Sequence, residues 1–269
     1  LMRNADTAMY QVKKQGRDSY NFYTQHLTQA AQNKSKMESE LHKAISNNEM
    51  QLWYQPQVNL ETEELIGLEA LIRWQHPNIG FLAPDAFLPA LDNHPFIIDL
   101  GEWVIDTAIR QMLRWDESEL NLNVSVNIDA LQIQSRHFPA KLKDILQRYP
   151  SFNPCRLDLE ILETVAIKDI DTTIRNIQQC KDFGVSFSLD DFGKGYCSLS
   201  YLKQLPVDTL KIDQAFVRDM LEDATNISIL EGIIAIAKTF NLKVIAEGVE
   251  TVAHGEFLIQ IGCDLAQGY

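Results

Sequence analysis

Beyond residue 37 the chain alternates short apolar runs at strand spacing with longer stretches whose apolar residues recur at helical spacing. The strand-like runs are Leu52–Val58, Ile66–Trp74, Leu122–Ile128, Leu157–Leu162, Val185–Leu189, Thr209–Ile212, Val244–Ala246 and Asp264–Ala266. Amphipathic helices are expected between most of them, including Ile98–Trp115, Asp169–Phe183 and Asn226–Phe240, the last with Ile229, Ile233, Ile236 and Phe240 on one stripe. Eight strands with interposed helices over roughly 230 residues predict an α/β fold, the (β/α)8 barrel. An open doubly wound sheet is the rival, but no glycine-rich phosphate fingerprint follows the first strand. Only Asn59 to Leu65 separate the first two strands, too few residues for a helical crossover, so these two should pair antiparallel. The expected architecture is therefore a modified TIM-type barrel with an antiparallel first strand.

The N-terminal region reads differently. In residues 1–24, Ala5, Ala8, Met9 and Val12 fall at helical spacing, Gly16 is placed to cap, and Tyr20 to Tyr23 form a short aromatic strand. One helix and one strand cannot bury a core alone, so this fragment looks like the end of another domain. Residues 25–37 are polar and rich in Gln and Asn, as expected of an exposed linker for which a helix is one option. Ser35 and Glu38 then have capping-box spacing for a helix carrying Met37, Leu41, Ala44 and Ile45 on one face.

A net charge of −13 argues against a DNA or RNA polymer or an anionic membrane as partner, so an anionic ligand must be held by local positive charge. The four cysteines, Cys155, Cys180, Cys197 and Cys263, form no CxxC pair and read as reduced thiols of a cytoplasmic chain. No apolar run approaches the roughly 18 residues of a membrane span, and no signal peptide opens the chain. Any membrane anchor is expected in upstream segments of a longer protein.

The chemistry concentrates at strand ends. Asp190 and Asp191 follow the apolar run Val185–Leu189, and two adjacent carboxylates there repel each other unless cations sit between them. Alternation places Asp158 and Glu160 on one face of their strand, opposite Leu157, Leu159 and Ile161. Ser125 and Asn127, and Lys211 and Asp213, sort the same way. Barrel active sites assemble at the carboxyl ends of strands, and Glu69, Asn127, Glu160, Asp190, Asp191, Lys211 and Glu247 all occupy such positions. Any one of these acids alone reads as an ion pair or a turn. Five of them gathered around one lysine call for divalent cations, and oxygen ligands that include an Asn carbonyl suit Mg2+ or Mn2+ better than zinc. His76 and His94 lie beside prolines and read as structural loop residues.

Several segments now resemble a known family. "LEALIRWQHP" contains Glu69-Ala70-Leu71, and "YQPQ" at 54–57, "VSVNID" at 124–129, "LEILET" at 159–164 and "DDFGKGYCSLSYL" at 190–202 follow in order. "LKIDQAFV" at 210–217, "IAEGVET" at 245–251 and "QGY" at 267–269 complete the series. Together they resemble the EAL family of cyclic di-GMP phosphodiesterases over residues 38–269, and residues 1–24 resemble the C-terminal tail of a GGDEF domain without its signature loop. The resemblance implies hydrolysis of cyclic di-GMP to linear 5′-pGpG with two Mg2+ or Mn2+ ions, Ca2+ being inhibitory. It implies that Glu69, Asn127, Glu160 and Asp190 ligate one metal, that Asp190 bridges to a second held also by Asp191, and that Glu247 and Gln267 act on the metals through water. Lys211 would contact the attacking water, and Glu247 is the leading general base. Gln55, Arg73, Asp213 and Glu250 correspond to substrate contacts, and Glu163 to the residue that anchors the loop after Asp191.

The alternative under the same resemblance is a weak or inactive receptor of this fold that binds cyclic di-GMP; degenerate members lose metal ligands, and this chain keeps each one that maps. A homodimer is expected, coupled to the site through the loop Phe192–Ser198, with GGDEF and sensory domains upstream. Two departures stand out: Lys194 and Cys197 replace the more usual Thr and Ser, neither being an expected ligand, and the sequence ends at Tyr269 where the family usually continues.

Overall fold

The structure is a computed structural model that describes residues 25–194 and 198–268. The helix and aromatic strand expected in residues 1–24 lie outside the described residues, as do Gly195 and Cys197. The chain divides into two units, Leu1–Gln51 with Trp74–His94, and Leu52–Arg73 with Pro95–Tyr269.

In the first unit, helix α1 runs without interruption over Gln25–Ser46. The capping box at Ser35 is therefore not realised, and of the options for the linker the helix is the one adopted. Gln, Ala, Lys, Met and Glu dominate this stretch and all favour helix, and no Pro or Gly interrupts it. Ser35 consequently sits where its neighbours' amides already have backbone partners, and a cap has nothing to satisfy. The expected apolar stripe holds, with Leu41 and Ala44 fully buried.

A short strand that the sequence pattern did not predict, β3 (Gly80–Leu82), pairs antiparallel with the end of β2 (Leu65–His76), matching Trp74 with Leu82 and His76 with Gly80. His76 thus closes a strand instead of lying in a loop. It is buried, its Nδ1 accepts from the amides of Asn78 and Ile79 at 3.1 and 3.2 Å, and its Nε2 lies 3.4 Å from Glu40. Trp74 is fully buried against the edge of Phe87, with its indole N–H donating to Glu49 at 3.0 Å.

The second unit is a closed barrel. Its strands are β1 (Met50–Asn59), β2 (Leu65–His76), β4 (Val124–Ile128), β5 (Leu157–Leu162), β6 (Ser186–Phe192), β7 (Thr209–Ile212), β8 (Lys243–Glu247) and β9 (Leu265–Gln267). The hydrogen-bonded order β1-β9-β8-β7-β6-β5-β4-β2 closes through a β1–β2 pairing. Every neighbouring pair from β2–β4 round to β8–β9 is parallel, and β1 alone runs against β9. The hairpin between β1 and β2 is thus antiparallel, as the short connection required.

Leu157, Leu159 and Ile161 of β5, Phe187 and Leu189 of β6, and Leu210 and Ile212 of β7 are completely buried on the outward faces. Each such side chain contributes about 1.5–3 kcal/mol of burial. The surrounding helices include α2 (Phe96–Asp116), α3 (Ile170–Lys181), α4 (Gln214–Arg218), α5 (Ala224–Thr239) and α6 (Val252–Ile261). Asp169, Asp213, Asp223 and Thr251 cap α3, α4, α5 and α6 through their side chains. On α5 the buried stripe is Leu230, Ile233, Ile234 and Ala237, rotated from the predicted one, and Ile229 is exposed. This helix is apolar nearly all round, so periodicity alone could not select its inner face. No helix among the described residues is long and apolar enough to cross a membrane.

Candidate active site

Strand alternation brings polar residues to the inside of the barrel. Register pairs Glu69 with Ser125, Asn127 with Glu160, Glu160 with Ser188, and Glu247 with Gln267, which is in turn opposite Gln57. At the centre stands Lys211, fully buried. Its ammonium lies 2.8 Å from Glu160 Oε2, 2.7 Å from Glu247 Oε1, 3.2 Å from Glu69 Oε2 and 3.4 Å from Asp190 Oδ1.

An amide chain fixes the rim of this cluster. Asn127 Nδ2 donates to Glu69 Oε1 at 2.7 Å, and Gln267 Nε2 donates to Glu69 Oε2 at 2.5 Å and to Gln55 Oε1 at 3.0 Å. Gln57 Nε2 donates to Gln267 Oε1 at 3.0 Å, and Gln55 Nε2 to the carbonyl of Gly268 at 3.3 Å. A cavity of about 250 Å³ opens above, lined by Gln55, Glu69, Asp190, Gln214, Glu247 and Glu250 among others. Gln214 was not singled out in the sequence; its only signal is its place directly after Asp213 at the end of β7.

Asp190 and Asp191 share this mouth because β6 is irregular. Leu189 pairs with Leu210 but Phe192 with Ile212, so β6 carries one residue more than β7 over this step. Asp191 absorbs the extra residue at φ 54°, a left-handed conformation that Asp tolerates better than most residues. Strict alternation would have turned adjacent carboxylates to opposite faces. With the bulge, the carboxylate oxygens of Asp191, Asp213 and Glu247 come within 4.8 Å of one another. Asp213 is fully buried, caps α4 through Ala215 N at 2.8 Å, and pairs with Lys194, whose ammonium also lies 3.3 Å from Asp191 Oδ1. Lys194, a departure from the family pattern and no expected ligand, is ion-paired to two site acids.

Glu163, the expected loop anchor, is buried and accepts from Gly193 N at 2.9 Å. Gly193 itself has φ 104°, and a Cβ there would lie 2.5 Å from the Phe216 ring. Arg73, expected at the substrate, donates to the carbonyl of Ile72 at 2.9 Å, and its guanidinium lies 5.9 Å from the centre of the half-exposed Trp53 ring.

Electrostatically the cluster is short of positive charge. Burial raises Glu160 well above the ordinary carboxylate range even with Lys211 opposing, and the charges of Glu69 and Asp190 push the same way. Burial raises Glu247 to about 7 and, with a hydrogen bond to Asp213 and the charge of Asp190, raises Asp191 to about 6. Glu69 is also penalised by burial, but Lys211 and the amides of Gln267 and Asn127 bring it below its usual value. Lys211 suffers the same burial cost, and its four acidic neighbours outweigh it, holding the ammonium protonated.

Glu160 Oε1 is buried without a hydrogen-bond donor, and the only cation on Asp190 Oδ1 among the described residues is the Lys211 ammonium at 3.4 Å, which three other acids share. Buried carboxylate oxygens of this kind demand a partner, and in an all-oxygen cluster a hard divalent cation fits them.

The comparisons agree with this geometry. The EAL domain family model matches residues 38–269. The bifunctional diguanylate cyclase/cyclic di-GMP phosphodiesterase MucR of Pseudomonas aeruginosa is 41% identical over 270 residues, covering 100% of this chain and 39% of its own length. The cyclic di-GMP phosphodiesterase PdeR of Escherichia coli is 37% identical over 269 residues, covering 100% of this chain and 40% of its own. The chain thus spans about two fifths of the length of these relatives. The structure of the PaMucR phosphodiesterase in complex with c-di-GMP superposes with a TM-score of 0.82 at 40% identity, covering 87% of this chain and 94% of that one. With the motifs, the barrel and the family match all falling on the same residues, the chain belongs to the EAL domain family over residues 38–269.

Proposed function

We propose that this domain is a metal-dependent phosphodiesterase that hydrolyses cyclic di-GMP to linear 5′-pGpG. The observation that carries the reading is the Lys211 cluster: four carboxylates share one buried ammonium, and Glu160 Oε1 is buried with no hydrogen-bond donor. Similarity to MucR, PdeR and the PaMucR complex supports the choice of substrate. Glu69, Asn127, Glu160 and Asp190 would hold one Mg2+ or Mn2+ and Asp190 with Asp191 a second, supplying Lewis-acid polarisation of the phosphodiester and acidification of water.

The chain's own groups then have separable tasks. Water adds to phosphorus and gives up a proton to a base, the bond to the 3′ oxygen breaks, and that oxygen takes up a proton to become the 3′ hydroxyl of the linear product. Glu247, which burial raises to about 7 when no cation is bound, lies beside Lys211 and Asp190 and is assigned to take the proton from water. Lys211 cannot be that base, because its neighbours hold its proton. It serves instead as a fixed positive charge that keeps Glu69, Glu160, Asp190 and Glu247 converged. Gln267 orients Glu69 and Gln55, while Gln55, Asp213, Glu250 and Arg73 are assigned to the dinucleotide, Arg73 as a charge-assisted phosphate donor. Glu163 holds the loop after Asp191.

Residues 1–24 are assigned to the tail of a GGDEF domain, 25–37 to the connection and 38–269 to the EAL domain, in a cytoplasmic homodimer with sensory domains upstream. Metal substitution tests the two-cation reading. Mg2+ and Mn2+ should each support turnover. Ca2+, with longer bonds and higher coordination, should permit nucleotide binding while suppressing hydrolysis. Equal turnover with Ca2+ and Mg2+ would count against it.

A further inference from the structure

The loop after β6 carries a cation of its own into the acidic mouth. Lys194 pairs with Asp191 and with Asp213, the latter fully buried, and these two acids together with Glu247 form the cluster whose carboxylate oxygens approach within 4.8 Å. We propose that the Lys194 ammonium is a tethered competitor of the cation that Asp191 would hold, so that divalent binding there requires Lys194 to swing out. This rests on the two-cation reading above and adds a residue that tunes it.

Three features make the exchange feasible. The Lys194 side chain is half exposed, so water is available to receive it, and its four-carbon stem turns without backbone movement. The backbone beneath is held independently, by Gly193 N to Glu163 and by Lys194 N to the carbonyl of Asp191 at 3.4 Å. The loop start can therefore keep its place while the ammonium leaves. Lys194 supplies one positive charge where a divalent ion supplies two, so the ion wins once its concentration is high enough to offset the lost pairs. The neighbouring Lys211 has no such freedom, being fully buried among four acids, and it is a permanent part of the centre. Threonine at position 194 would offer no competing charge. The lysine thus raises the divalent concentration at which the second position fills.

Electron paramagnetic resonance titration with Mn2+ tests this directly, counting ions and measuring each affinity without turnover. The full chain would be compared with Lys194→Met, Lys194→Thr and Lys194→Arg. The expected result is two Mn2+ per chain throughout, with the weaker site tightened roughly tenfold, about 1.4 kcal/mol, in the Met and Thr variants and unchanged in the Arg variant. Two ions bound with the wild-type affinities in the Met and Thr variants would overturn the competition while leaving the cation reading intact. Failure of every chain, wild type included, to bind Mn2+ saturably would overturn both.

Discussion

Glu247 and Asp190 contact the same ammonium, and substituting each should have a different consequence. Glu247→Gln keeps the shape and removes the proton acceptor, so turnover should fall by roughly 10²-fold or more with little change in nucleotide affinity. Asp190→Asn removes the charge proposed to bridge the two cations and should abolish turnover and weaken metal binding together. Calorimetric titration beside a product assay separates the two, and near wild-type turnover in Glu247→Gln would remove it as base. At this scale the sequence was informative where alternation decides, as for Glu160, Asn127 and Lys211, whose inward faces follow from their apolar neighbours. It marked Lys194 as a departure but was silent on its ion pairs, because the pairing with Asp213 spans 19 residues of chain and depends on where β7 ends. It was silent also on Gln214, which enters the cavity only because a helix begins directly after Asp213.

The element on which the site depends most is the end of β6. Its extra residue, the left-handed Asp191 and the anchored Gly193 form one unit, since none of the three can shift without moving the others. Glu163→Gln weakens the anchor by removing its charge. It should impair turnover and raise the Mg2+ needed for half-maximal rate far more than it lowers the melting temperature. Unchanged magnesium dependence would leave Glu163 as a local structural residue. Gly193→Ala should be harsher, because it adds strain at φ 104° and drives Phe216 aside. The bulge was not legible in "SLDDFG", since nothing in two adjacent aspartates tells a solvated turn from an irregular strand. The β2–β3 hairpin was likewise hidden, because Gly80–Leu82 is too short to show a period. Helix α1 was underestimated in length because its polar first half lacks the apolar stripe on which periodicity depends.

For the whole molecule, the barrel order followed from the repeat of strand and helix patterns, and the antiparallel start followed from a connection too short to hold a helix. Both are long-range consequences of chain length and were accessible without coordinates. The charge balance of the mouth makes a further statement about stability. Without divalent ions, Asp191 near 6 and Glu247 near 7 bind protons more strongly in the folded state than in the unfolded chain. Their contribution to stability is therefore greatest below pH 4 and is lost as pH rises to about 7. Glu69 and Asp213 have the opposite sign, but their lowered values place that effect below pH 5. In EDTA the melting temperature should accordingly fall between pH 5 and pH 7.5, and Mn2+ should restore more at pH 7.5 than at pH 5, because it binds the ionised carboxylates. A melting temperature in EDTA that rises across this window would contradict the charge assignment. The most direct test of the central claim is nucleotide chromatography after incubating the protein with cyclic di-GMP, once with Mg2+ and once with excess EDTA. The account predicts conversion to linear 5′-pGpG with Mg2+ and none with EDTA; intact cyclic di-GMP in both, or equal conversion in both, would contradict it.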